Sequence, residues 1–582
     1  MIALATLDAF APLLANLPMF APLDSLPPPQ ELQVVRSPRM LSQQALPKDL
    51  DAVTIVAVID HAIPFAHRLF TTDEGFSRCA SIWIQDAAKE PLQADIAFGR
   101  EIWGSTIDTL RGLPAGPFNP DGDAVYRALG HMDPQWLGRA ATLIADRSHG
   151  AAVAAIAAGY EPGDATGLNH PLIAVSLPEW VVGDTSGGYA PLFIQLAVVF
   201  IVARARKLAR ELSQIAGRKV RPRMVVNLSY GVTAGARDGS SLLEQMQDLI
   251  AEHAGADLGQ VQFVLAVGNS REKRLHAMLS PGQHLGWQVL PDDPTESMVE
   301  IWGPPEPSCP EALKLVVTLP DGPEMTTAFQ PPTGEMGQIA RLKDSRGREL
   351  ARFMLQRRAV LDGFRQCLTI ILPPTIGPAQ GDRAPVGVWR LKLLAAPGAC
   401  SFDIQRDDRL PGFRGGGRQT LFRDPGYQAR QPNGLWIDRD PQPADSLVQR
   451  NGTLNAYAGG SRQIRAGAAI LNAVPGQGAP ISHYCSLLDG GLGGDIMMAG
   501  DRGDAAHGLN LPGVRGAAMQ TVSGTSITAP QITRWLAAQL SAGQALHSRD
   551  QIVAAAQAAG RPGSVPPLLD TDLPWRWSGQ GG

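Results

Sequence analysis

Cysteine is scarce in this sequence of 582 residues. The five that occur, Cys79, Cys309, Cys367, Cys400 and Cys485, are odd in number, scattered and without any C-x-x-C spacing. That pattern argues against a disulfide scaffold and a zinc ribbon, and a reducing, cytoplasmic setting is the expectation. An excess of one charge is also missing, since 51 basic residues against 55 acidic ones leave a formal net charge of −4. Without a polybasic footprint, neither nucleic acid nor an anionic membrane surface is an expected partner. Long hydrophobic runs are lacking too. Leu192 to Ala203 contains Gln195, and the apolar start from Met1 to Phe10 is followed by Pro12, Pro18 and Pro22. Both fall short of the roughly 20 residues a spanning helix needs. No Lys or Arg stands before Arg36, whereas a secretory signal wants a positive start, so no export signal is expected. Absent as well are H-E-x-x-H, G-x-x-x-x-G-K-[ST], G-x-S-x-G and an EF-hand loop. Metal-dependent hydrolysis and nucleotide chemistry lose their support, and no metal ligand set is predicted.

What is present suits a large enzyme. With 44% hydrophobic and 18% charged residues, the chain can bury a sizeable core in about two to four domains. From about residue 51 to 280, apolar runs such as Leu172-Ile173-Ala174-Val175 and Met224-Val225-Val226 alternate with helical stretches, among them Leu242 to Ala254. That alternation predicts an α/β fold with a doubly wound, mostly parallel sheet. From about 285 to 440 the pattern changes to short strands punctuated by Pro and Gly, including Met298 to Trp302, Leu313 to Leu319, Leu368 to Leu372 and Trp389 to Leu393. An all-β, jelly-roll-like insert is expected there. Gly-rich stretches around Gly415-Gly416-Gly417 and Gly459-Gly460 carry the chain back. The expected order is an N-terminal segment 1–50, a split catalytic domain 51–284 and 441–560, the insert 285–440 between its halves, and a tail 561–582. Pro27-Pro28-Pro29 reads as a stiff connector, and the first 50 residues as a leader or a surface strap.

The most informative stretch is Ser523-Gly524-Thr525-Ser526-Ile527-Thr528-Ala529-Pro530. Gly524 allows a sharp turn, Pro530 is expected in a first helical turn, and Ile532 to Leu540 continues as an apolar-striped helix. Ser526 then sits at the positive end of a helix dipole, where free backbone N–H groups stabilise a developing oxyanion. A serine needs a base and a group that orients the base. Val53 to Asp60 reads as a buried parallel strand that presents Asp60 at its C-terminal edge. Asp146-Arg147-Ser148-His149-Gly150 leads into an alanine-rich helix with His149 at its mouth. Val261 to Asn269 repeats the strand design and ends in an amide able to donate to an oxyanion.

The order Asp, His, Asn, Ser resembles the subtilase family of serine peptidases, whose triad runs Asp, His, Ser. Gly524-Thr525-Ser526 followed by Ala529-Pro530 is similar to the family's G-T-S-x-x-A-P, and Ala266 to Asn269 to its A-A-G-N. Val225-Val226-Asn227-Leu228-Ser229-Tyr230-Gly231 resembles V-I-N-M-S-L-G, whose end lines the substrate cleft. The resemblance implies a serine endopeptidase with Asp60, His149 and Ser526 as triad, Asn269 at the oxyanion, and Ser229, Tyr230 and Gly231 against a peptide or protein substrate. It covers the two catalytic segments but neither the first 50 residues nor the insert. Family members often bind structural calcium, but no loop here identifies a site.

The sequence also departs from the family. Asp60-His61-Ala62 stands where D-[ST]-G is usual, and His149-Gly150-Ala151-Ala152-Val153 where H-G-T-H-V is usual. An imidazole at His61 is expected to compete for the Asp60 carboxylate or to shift its pKa, giving weaker or narrower activity. The interval from Asp60 to His149 is 149 − 60 = 89 residues, longer than is usual, so a second insertion over about 70–145 is expected to fold over the cleft. Two alternatives to the endopeptidase stay open at this level. One is an inert subtilase-like scaffold; the other is an esterase or transacylase using the same triad. Oligomeric state is not legible.

Overall fold

Valine and isoleucine dominate Thr54–His61 (β1), and every residue in it is buried, as a strand covered on both faces requires. Seven more strands join it: Cys79–Ile84 (β2), Arg100–Trp103 (β3), Leu172–Leu177 (β4), Arg223–Leu228 (β5), Val261–Ala266 (β6), Ile464–Ile470 (β7) and Ile496–Asp501 (β8). Their order across the sheet is β8-β7-β6-β5-β1-β4-β2-β3. Pairing is parallel except at the β3 edge, which runs antiparallel to β2. A computed structural model of the chain describes residues 39–570 apart from 88–94, 115, 117–118, 120, 133–140, 145, 255–256, 334–336, 361–362, 378–380, 411–412, 414–415, 442–444, 472–480, 504–506 and 517. The proline-rich part of the N-terminal segment and the last residues of the tail lie outside the described residues.

The sheet is doubly wound. Ile55, Ala57 and Ile59 of β1 face one core, shared with the helices Ala190–Ala216 and Leu242–Glu252. Val56 and Val58 face the other, shared with the helices His149–Ala158, Thr525–Ser541 and Arg549–Ala559. The apolar run from Leu192 belongs to the 27-residue helix Ala190–Ala216, which stops at Gly217 with φ 63°. Among the described residues, no helix is long and apolar enough to cross a membrane. The stretch 70–145, expected as an insertion, contributes β2 and β3 to the sheet itself. β2 is buried along its whole length, so its apolar run marks a core strand and not a loop.

Between β6 and β7 the described residues build two antiparallel sheets of five and six strands. Trp287, Phe353, Trp389, Phe402 and Phe422 lie in one shared core. In Gly387–Ala395, Trp389, Leu391 and Leu393 point into that core while Val388, Arg390, Lys392 and Leu394 are exposed, the period-two pattern of a strand covered on one face. The first strand of this insert is His276–Leu279, ahead of the expected boundary at 285. Alternation is too short there for the sequence to separate it from the turn after β6.

Candidate functional site

Asp60 lies one residue before the end of β1 and is 5% exposed. His149 opens the helix His149–Ala158, which Ser148 caps by accepting from Ala151 N at 3.3 Å. The Ser148 hydroxyl also donates to the Ala62 carbonyl at 2.7 Å, tying the helix mouth to the end of β1. Gly150 permits this approach, because a Cβ there would collide with the His61 carbonyl. Ala62, where the family has glycine, adopts φ 48°, and its N–H donates to Ser176 Oγ at 3.0 Å.

The two helices and β1 bring three side chains into one chain of hydrogen bonds. His149 Nδ1 stands 3.0 and 2.9 Å from the two Asp60 oxygens, and His149 Nε2 stands 2.8 Å from Ser526 Oγ. A carboxylate can only accept, so Nδ1 carries the proton and Nε2 is left to accept from the serine. Burial by itself would raise the Asp60 pKa, but His149 and then His61 outweigh it and hold the carboxyl well below the ordinary range. Burial by itself would lower the His149 pKa, but the Asp60 charge and hydrogen bond outweigh it and the imidazole sits above its ordinary value.

His61 is part of this arrangement. Its backbone N–H donates to Asp60 Oδ1 at 2.8 Å, its Nδ1 lies 3.3 Å from the same oxygen, and its ring is parallel to His149 within 8° at 6.2 Å. Phe413, from the stretch of the insert between the strands Cys400–Ile404 and Leu421–Arg423, meets His61 edge-on at 5.5 Å. Asp60, His61 and His149 also form, among the described residues, a group of three side chains whose ligand atoms all lie within 4.8 Å of one another. Those atoms face one another as hydrogen-bond partners around Asp60.

Ser526 is the second residue of the helix Thr525–Ser541, which follows Gly524 at φ 127°, a conformation that favours glycine. The Gly524 N–H donates to Tyr484 Oη at 3.0 Å. Asn269, three residues beyond β6, accepts from Thr525 N at 2.9 Å and from Thr525 Oγ1 at 3.0 Å through its Oδ1. Its Nδ2 is thereby left as a donor. A Cβ on Gly524 would stand 3.2 Å from both Asn269 Nδ2 and Ser526 Oγ, so the amide and the hydroxyl border the same gap.

Ser229, directly after β5, points at the serine helix and not into open space. Its Oγ donates to the Ser526 carbonyl at 2.7 Å. The Tyr230 hydroxyl reaches the Asp184 carbonyl at 3.5 Å, and Gly231 packs against the Asn455 amide so closely that a Cβ would collide with it. Asn455 Nδ2 donates to the carbonyls of Tyr230 and Ala266 at 3.1 and 3.0 Å, joining the ends of β5 and β6. Sequence reasoning missed Ser148, Ser176, Asn455 and Tyr484. Only Ser148 carried a local signal, as a serine just ahead of a helix.

No protein-family model matches this chain, and no curated protein matches it. Among solved structures, the fold is similar to that of the CspB protease of Clostridium perfringens, with a TM-score of 0.54 and 17% sequence identity over 90% of this chain and 93% of that one. At that identity the likeness speaks for the fold: a subtilisin-like α/β core with an antiparallel β insert.

Proposed function

We propose that this protein is a serine endopeptidase that hydrolyses peptide bonds through an acyl-enzyme intermediate. The carrying observation is the unbroken chain from Asp60 through His149 to Ser526, with each link between 2.8 and 3.0 Å. In this reading Ser526 Oγ attacks the carbonyl, His149 takes its proton and passes it to the leaving amine, and Asp60 holds the imidazole in the required tautomer. The Asn269 Nδ2 and the Ser526 N–H, one of the amides a helix start leaves free, hold the oxyanion. Tyr230 and Gly231 offer a cleft wall through their backbone, while the Ser229 hydroxyl is committed to the serine helix. Five free, buried cysteines support a reducing compartment.

A fluorophosphonate probe read by intact mass tests the proposal. One adduct is expected on the native chain and none on Ser526→Ala, whose turnover falls by roughly 10⁶-fold. Asn269→Ala keeps the adduct while turnover falls by about 10²–10³-fold. A native chain that takes no adduct would sink the assignment.

A further inference from the structure

Outside the active site, among the described residues, one pair of buried carboxylates keeps three oxygens without a hydrogen-bond partner. Asp293 follows the strand His284–Val289, and Asp407 follows Cys400–Ile404. Asp293 is 1% exposed and Asp407 6%. Asp293 Oδ1 is fully engaged, accepting from Thr295 N at 3.1 Å, Thr295 Oγ1 at 2.7 Å and Arg418 N at 3.2 Å. Its Oδ2 has no partner, and neither oxygen of Asp407 has a hydrogen bond of acceptable geometry. Thr420 Oγ1, on the segment that returns past Asp407, is buried and unpartnered as well. Burial pushes the Asp407 carboxyl up to about 8, and the charges of Asp293 and then Asp408 add to it against a smaller pull from the Ser297 hydroxyl.

Two like charges taken out of water without a counterion are expensive, and a bound cation is the ordinary remedy. The backbone is shaped around the pair. Gly417 N donates to the Asp407 carbonyl at 2.7 Å, and a Cβ on Gly417 would collide with Thr295 Oγ1 and Asp293 Oδ1. We propose that Asp293 and Asp407 bind one hard divalent cation, calcium in particular, at the root of the segment that joins the insert to the active site. The donor set is all oxygen, which selects calcium over zinc or copper, and loop carbonyls and water complete a shell of about six to eight ligands. The position gives the ion a structural task. One residue on, the Asp408 carbonyl accepts from Thr185 Oγ1 at 2.7 Å and its carboxylate meets Lys273 at 3.4 Å. Phe413, against His61, is carried by the same segment.

The test uses the full chain carrying Ser526→Ala, so that self-cleavage does not intrude and the outcome is independent of the proposed activity. Protein stripped with EDTA is titrated with calcium chloride by calorimetry, and its thermal unfolding is followed with and without the ion. The expected result is saturable calcium binding and a Tm rise of about 2 °C at about 100 times Kd. Asp407→Asn and Asp293→Asn each weaken that binding by on the order of 100-fold. Each also melts no lower than the metal-free parent, because each removes one of two like charges. Absence of calcium binding overturns the proposal, as does unchanged affinity in either variant. Stabilisation by mild acid with no response to calcium also overturns it, since the pair then shares a proton.

Discussion

His149 takes its character from one carboxylate, and that fixes the sign of the pH response. In the proposed mechanism His149 must be neutral to accept the Ser526 proton. Because Asp60 raises the His149 pKa, the acid limb of kcat/KM is expected above the ordinary histidine value of about 6.5. His61→Ala removes a hydrogen bond from Asp60, leaving the carboxylate free to favour the imidazolium more strongly. The limb is therefore expected to move to still higher pH, and a pH–rate profile of both proteins checks it. An unmoved limb would show that His61 is only a neighbour. Stability follows the same linkage with opposite signs. The raised His149 pKa contributes stability below its unfolded value, lost as pH rises through the folded one. The lowered Asp60 pKa contributes stability above its unfolded value, lost as pH falls. The pair therefore contributes most in the weakly acidic range between them.

The helix Thr525–Ser541 carries its proline inside, at Pro530, and not in the first turn where the sequence suggested it. Proline has no N–H to give the carbonyl four residues back, and that carbonyl belongs to Ser526. Ser229 Oγ supplies the missing donor at 2.7 Å, which ties the end of β5 to the helix that carries Ser526. Ser229→Ala leaves a buried carbonyl unsatisfied and is expected to cost about 1–3 kcal/mol in denaturant unfolding. If it also positions the nucleophile, kcat falls while KM holds, whereas loss of stability with unchanged kcat would leave it a purely structural role. Such pairings explain what was legible beforehand. Asp60, His149, Asn269 and Ser526 each close or open an apolar run, so local pattern exposes them. Their supports come from far away in sequence: Ser176 to Ala62, Tyr484 to Gly524, Asn455 to both Tyr230 and Ala266. The two-sheet insert was visible because its strands alternate, and β2 was missed because its short buried run lies inside the interval taken for an insertion.

Across the whole molecule, the insert is fastened to the core through buried polar groups beside the proposed cleft wall. Asp403 of the strand Cys400–Ile404 is fully buried and meets Arg237 Nη1 at 2.5 Å and His276 Nδ1 at 2.7 Å. Burial would raise its pKa, but Arg237 and His276 hold it below the ordinary value. Nearby, Thr233 Oγ1 donates to the Ile404 carbonyl at 2.8 Å, and Gln405 Oε1 accepts from Thr233 N and Ala234 N at 3.1 and 3.2 Å. The loop from Ser229 to Asp238 is thus held on one side by the serine helix and on the other by the insert. Arg237→Met leaves the Asp403 charge to His276 alone and is expected to cost about 3–5 kcal/mol. Adding Asp403→Asn removes that charge, so the double variant should recover about 1–3 kcal/mol relative to the sum of the single changes. Because the loop is the proposed wall and not the triad, Arg237→Met should raise KM for a peptide substrate while Ser526 still takes the fluorophosphonate adduct. Loss of the adduct with KM unchanged would mean that the insert braces the nucleophile and leaves substrate binding to other surfaces.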